Sequence, residues 1–224
     1  MARIRLLVAA NLAALALGGC TPRPPATPGA VVGEGFAPLF DGRTLAGWVQ
    51  RGGKAEYRVE DGCIVGASRP NQPNSFLCTE REYEDFILEL EFKVDPDLNS
   101  GVQIRSQSLS AYHNGQVHGY QVEIDPSPRA WTGGIYDEGR RGWLVPVDKD
   151  PYARAAFKPG QWNRMRVEAR GDLIRVWINA IQTAELHDSM TLRGFIGLQV
   201  HGVGADTRER TVRWRGIRIQ PLGQ

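Results

Sequence analysis

Alternating apolar and polar positions dominate the chain. Between residues 86 and 94, Phe86, Leu88, Leu90, Phe92 and Val94 fall on one face, with Glu89, Glu91 and Lys93 on the other. Residues 165–169, 173–178, 195–200 and 214–219 repeat this period of two, the side-chain period of a half-buried strand. Gly171-Asp172 lies between two such runs and predicts a tight hairpin. No stretch of ten or more residues carries a helical period. Many short alternating strands with glycine-rich turns predict an all-β fold, a sandwich or jelly roll of two antiparallel sheets.

The first 35 residues follow another pattern. Arg3 and Arg5 precede an apolar run from Leu6 to Leu17, interrupted by Asn11, and Gly18, Gly19 and Cys20 follow. The run has the length of a signal-peptide core and falls short of the roughly 20 apolar residues that cross a bilayer. Leu17-Gly-Gly-Cys20 is similar to a lipobox, in which small residues flank the scissile bond and the cysteine thiol accepts a diacylglycerol. Residues 1–19 are therefore expected to be a cleaved lipoprotein signal peptide and Cys20 the lipidated residue. Thr21, where an Asp would hold the protein back, points to the outer membrane, with lipid as the only membrane attachment. Residues 20–35 contain Pro22, Pro24, Pro25 and Pro28 among small residues and predict an extended tether. Residues 36–221 remain for one domain with a full core.

Charge and cysteine content narrow the classes further. Lys and Arg number 27 against 25 Asp and Glu, with no basic stripe of the kind that binds nucleic acid. Arg208, Arg210, Arg213, Arg215 and Arg218, interleaved with Glu209, Trp214 and Ile217, read as a solvated strand face. With Cys20 lipidated, Cys63 and Cys78 form an even pair in an oxidising compartment, a candidate disulfide across the polar loop 68–74. Two buried thiols are the alternative. No Cys-x-x-Cys or His pair accompanies them to suggest a structural metal.

Candidate chemistry lies where strand faces are polar. Val102 and Ile104 point inward, leaving Gln103 and Arg105 outside; Tyr120, Val122 and Ile124 do the same for Gln121, Glu123 and Asp125. Ile196, Leu198 and Val200 leave Gln199 and His201 on the outer face. If these three strands are neighbours, their amides, carboxylates, guanidinium and imidazole form a floor suited to a polyhydroxylated ligand. Residues 130–144 predict a pocket-shaping loop, in which Trp131, Tyr136 and Trp143 stack on sugar faces or pack. Arg140 and Arg141 hold a carboxylate or a hydroxyl pair.

Several segments, in order, carry a resemblance: Pro38-Leu-Phe-Asp-Gly-Arg-Thr-Leu-Ala-Gly-Trp48, Tyr57-Arg-Val-Glu-Asp-Gly62, Tyr83–Phe92, Asn99-Ser-Gly-Val102, Gly119–Ile124, Gly160-Gln-Trp-Asn163 and Gly197-Leu-Gln199. Together they resemble the 3-keto-disaccharide hydrolase domain family. That resemblance implies a concanavalin A-like jelly roll and cleavage of glycosides whose sugar is oxidised at C3, with a sugar oxidoreductase as a possible partner enzyme. A C3 ketone acidifies the C2 hydrogen, so a base removes it, the C1–O bond breaks by elimination, and water adds back. Glu123 or His201 is the expected base, and Arg105 the enolate stabiliser. Tyr136, Glu138 or Asp125 protonates the leaving oxygen, and a divalent metal held by carboxylate and imidazole is an alternative electrophile.

Two other readings stand beside it. Glu123-Ile-Asp125 resembles the first half of the Glu-x-Asp-x-Glu strand of laminarinase-type hydrolases, but Ser127 occupies the third position, so the second carboxylate would have to be Glu138. A non-catalytic carbohydrate-binding protein would use the same floor. Asp95-Pro-Asp97-Leu-Asn99 hints at a lectin calcium loop, yet lacks the Gly and Glu of the EF-hand pattern and reads as a plain turn.

Overall fold

Residues 35–223 are described by a computed structural model. The expected signal peptide, Cys20 and all but the last residue of the tether lie outside the described residues. One antiparallel sheet has eight strands: β1 (Ala37–Pro38), β3 (Glu56–Glu60), β4 (Cys63–Ala67), β6 (Phe86–Val94), β11 (Asn163–Arg170), β12 (Leu173–Ile178), β13 (Ile181–His187) and β15 (Thr211–Pro221). Its order is β13-β12-β11-β6-β15-β4-β3, with β1 paired to the far end of β15. The other sheet contains β2 (Trp48–Gly52), β5 (Ser75–Thr79), β7 (Ser100–Gln107), β8 (His118–Ile124), β9 (Ile135–Glu138), β10 (Gly142–Val145) and β14 (Phe195–Val200). These run in the order β10-β9-β8-β7-β14-β5-β2. One short helix, α1 (Pro151–Arg154), is capped by the Asp150 carboxylate.

Strand alternation builds the core directly. Leu88, Leu90 and Phe92 of β6, Val167 of β11, Val176 of β12 and Trp214 of β15 face Val102 and Ile104 of β7, Tyr120 and Val122 of β8, and Leu198 of β14 across one apolar layer. In β15 the ladder slips between Arg215 and Arg218, where Gly216 adopts a positive φ of 59°. The extra residue lets Ile217 and Ile219 rejoin the core face after Val212 and Trp214. Arg213, Arg215 and Arg218 stay on the opposite face, paired with Glu60, Glu91 and Glu89. The solvated arginine face is therefore an ion-paired one.

Two expectations need correction. Cys78 carries a free, buried thiol, so no bridge joins it to Cys63. Their strands belong to different sheets, and Ile64 and Leu77, next to the cysteines in sequence, both point into the core. Cys63 and Cys78 thus sit on opposite outer faces of the sandwich. Sheets stack about 10 Å apart, beyond the Cα separation of about 4.4–6.8 Å that a disulfide spans. The expected loop 130–144 also contains structure of its own, because Ile135–Glu138 alternates buried and half-buried positions and pairs with β8, while β10 folds back on β9.

Candidate active site

The three polar strand faces are neighbours: β8, β7 and β14 are consecutive in the seven-stranded sheet. Their outward side chains meet residues of β9, β10 and three loops around a pocket of about 250 Å³. Asn74, Asn99, Gln121, Glu123, Arg129, Tyr136, Glu138, Trp143, Gln199 and His201 line it.

Glu123 sits at its base, 4 % exposed. Asn99 donates to Oε1 at 2.5 Å, Gln121 donates to Oε2 at 2.9 Å, and an Arg129 nitrogen lies 3.5 Å from Oε1. The Gln121 amide is oriented from below: Gln103 donates to its oxygen at 2.7 Å, and Ser106 donates to the Gln103 oxygen at 2.6 Å. Gly101, opposite Glu123 in the ladder, makes room for this arrangement, since a Cβ there would lie 2.5 Å from the Gln121 carboxamide carbon. Burial pushes the Glu123 carboxyl above its ordinary value, and the Asn99 and Gln121 donors pull back toward the anion.

Glu138 enters from β9, two residues beyond Tyr136 on the same face. Burial raises its carboxyl as well, while a hydrogen bond from Asn74 at 3.1 Å and the nearby His201 oppose the shift. The other end of the Asn74 amide accepts from the Gly202 N–H. His201 Nδ1 lies 2.8 Å from the Gly202 carbonyl oxygen, an acceptor only. In the neutral ring Nδ1 therefore carries the proton and Nε2 the free lone pair. The Tyr136 phenol is raised by burial first, then by the carboxyls of Glu138 and Glu123, and stays a proton donor.

The remaining expected site residues lie elsewhere. Arg105 has a positive φ of 47° at a bulge in β7, which turns its side chain away from Gln103. The fully buried guanidinium donates to the Glu84 and Gly171 carbonyls, each at 2.6 Å, and to Asp85 at 2.8 Å, joining the two sheets. It is a structural residue and not an enolate donor. Asp125 receives the Ser127 N–H and the Arg129 side chain; burial opposes the shift, but these contacts hold its carboxyl below the ordinary value, which does not suit an acid. Arg140 and Arg141 grip Asp137 at 2.7 and 2.5 Å, and Arg141 also grips Asp188, so both pin the β9–β10 turn. Trp131 stands behind Trp143, edge to face with ring centroids 4.8 Å apart, and the Arg129 guanidinium covers both indoles.

Asn74, Asn99 and Arg129 were not expected in the site. Asn99 had a signal, since it opens the Asn-Ser-Gly-Val segment; Asn74 and Arg129 come from loops whose course periodicity does not reveal. Asp97 of the suspected calcium loop pairs with Arg210, and Asn99 is spent on Glu123, which leaves a turn. Among the described residues no three His, Cys, Asp or Glu side chains converge as a metal cage.

Comparison with known proteins agrees with this architecture. Residues 35–220 match the family described as 3-keto-alpha-glucoside-1,2-lyase-like domains. A 3-keto-disaccharide hydrolase from Bacteroides thetaiotaomicron is 24% identical, over 84% of this chain and 79% of that protein. Among solved structures, one from Parabacteroides distasonis, provisionally assigned as a glycosyl hydrolase, superposes with a TM-score of 0.61 at 19% identity. It covers 85% of this chain and 95% of its own. A carbohydrate-binding module from Bacillus subtilis gives a TM-score of 0.57 at 16% identity, covering 77% and 94%. The fold is the jelly-roll sandwich expected from the strand pattern.

Proposed function

Because the chain belongs to the 3-keto-alpha-glucoside-1,2-lyase-like domain family, we propose that its pocket cleaves glycosides oxidised at C3 by elimination across C1 and C2, followed by hydration. Family membership makes it a glycosidase-type enzyme of hydrolase or lyase character; the roles below are our reading of the site. The observation that carries it is a buried carboxyl, Glu123, facing a sugar-sized pocket with a second raised carboxyl, Glu138, in the same wall.

Glu123 is the base. Its two amide donors and the nearby guanidinium favour the anion, while burial keeps that anion more basic than an exposed carboxylate. It takes the C2 proton, and the C–H electron pair passes onto the C3 oxygen as an enolate. When the ketone re-forms, the C1–O bond breaks and C1=C2 forms. Glu138, with a single amide donor and a carboxyl raised by burial, supplies the proton that the leaving oxygen needs. His201 and Tyr136, both close enough to Glu138 to act on it electrostatically, serve the same end, and His201 receives the proton of the water that adds at C1. Trp143, held edge to face against Tyr136 at 5.2 Å, gives the ring an apolar wall.

The test is Glu123→Gln assayed with a chromogenic 3-keto-glucoside. Cleavage by the wild type and a loss of about 10³-fold in the variant supports the proposal; binding without turnover by either form would make this a lectin-like protein. Glu138 also favours one rival, the two-carboxylate glycosidase, since it brings the second carboxylate that Ser127 does not supply. That enzyme would cleave the unoxidised glycoside and ours would not. We propose further that the domain, residues 36–221, is exported, lipidated at Cys20 and held at the outer membrane, where a partner oxidoreductase would supply keto-sugars.

A further inference from the structure

Four carboxamides line the pocket, and three are committed. Asn74 bridges the Gly202 N–H and Glu138, Asn99 serves Glu123, and Gln121 links Gln103 to Glu123. Gln199 differs: it is fully buried, yet among the described residues neither Nε2 nor Oε1 has a hydrogen-bond partner. Buried amides are almost always satisfied, and one that is not lowers stability. A fold keeps such a group where a ligand completes it.

Its position fits the chemistry. Gln199 pairs with Gly101, and Gly101 pairs with Glu123, so the two side chains rise from one cross-strand row. They stand about 10 Å apart at the backbone, two strand spacings, and the Gln121 carboxamide fills the place above Gly101 between them. A ring resting on the Gln121 amide has the base on one side and the unpartnered Gln199 amide on the other. The amide offers an acceptor and a donor together. The reacting edge of a 3-keto pyranose offers their complement, a ketone oxygen beside a hydroxyl.

We infer that Gln199 is the catalytic donor to the enolate oxygen, the role that Arg105 does not fill, and this rests on the elimination proposed above. Nε2–H donates to the C3 oxygen, and Oε1 accepts from the hydroxyl on an adjacent carbon. As Glu123 takes the C2 proton, the electron pair of that bond gathers on the C3 oxygen, where the N–H meets it. The pair then returns to rebuild the ketone and expel the C1 substituent with a proton from Glu138. A neutral donor suits this place, since a cation there would lower the basicity of Glu123.

Gln199→Met keeps the bulk and removes both polar atoms. Loss of one oxyanion donor lowers kcat by about 100-fold, with KM little changed. The rate of C2 hydrogen–deuterium exchange, followed by NMR in D2O, falls by the same factor. Tm rises by about 2–4 °C because the unsatisfied amide is gone. Gln199→Glu, which sets an anion against the enolate, loses still more exchange. Exchange at the wild-type rate in Gln199→Met, or a loss confined to KM, overturns the assignment. So does a lower Tm, which would mean that the amide has a partner inside the fold. Wild-type protein that neither exchanges nor cleaves the keto-sugar defeats the elimination itself, a result obtained before any variant is made.

Discussion

Glu123 and Glu138 are chemically identical groups in one pocket, and their donors separate them. Glu123 receives an amide on each oxygen with a guanidinium nearby, whereas Glu138 receives one amide. Burial raises both. Activity should therefore climb with pH along a limb set by Glu123, above the ordinary carboxylate value of about 4.3, and a kcat/KM profile reads it. The same shift has a stability sign. With its folded value above the unfolded one, Glu123 contributes fully below the unfolded value and loses that contribution as pH rises through the folded one. Glu123→Gln should match the wild type in Tm at acid pH and exceed it near neutrality. Glu123 was legible as an alternating outward residue, and Glu138 only as a member of the expected loop 130–144. Arg105 was misleading for a physical reason: alternation places a side chain only while the ladder is regular, and a bulge turned this one inward. Arg105→Leu should cost about 3 kcal/mol, because the link between the sheets disappears and the Glu84 and Gly171 carbonyls and the Asp85 carboxylate all lose its donors. Denaturant titration measures this, and kcat per folded molecule should stay near wild type.

Strands were the most readable elements. The boundaries 86–94, 173–178 and 195–200 emerge unchanged as β6, β12 and β14. Sheet membership was not readable, because β4 and β5 are neighbours in sequence but join different sheets through distant partners, β15 and β14. The expected Cys63–Cys78 bridge fails on that account. Cys78 instead packs with Phe76, Val117 and Phe195 on the outer face of the seven-stranded sheet. Burial pushes its thiol up to about 12, with Arg51 opposing slightly. Only thiolate reacts with alkylating agents, so iodoacetamide should label the Cys78 peptide in denaturant and leave it untouched in the native protein. Labelling at equal rates in both states would contradict this burial.

For the molecule as a whole, export is the expectation that its first residues carry, and fractionation tests it. Cys20→Ser should move the protein from the membrane pellet to the soluble fraction, while a wild type that is already soluble would remove the anchor from the proposal. Acid tolerance is set on the opposite sheet. Burial disfavours the Glu89 anion, but Arg218, Arg166 and Arg164 outweigh it and hold the carboxyl at about 2. Its folded value lies below the unfolded one, so this stability is present above about 4.3 and is lost as pH falls toward about 2.

The short strand β1 pairs with β15, and Phe36 lies over the Arg218 guanidinium, 4.7 Å from its ring centroid. The polypeptide thus enters the domain across the back of the eight-stranded sheet, with the whole sandwich between that entry and the mouth of the pocket. A surface that held the protein by its N-terminus would therefore hold it from the side away from the pocket. Coupling the protein to a bead or a film through its N-terminus should then leave turnover intact.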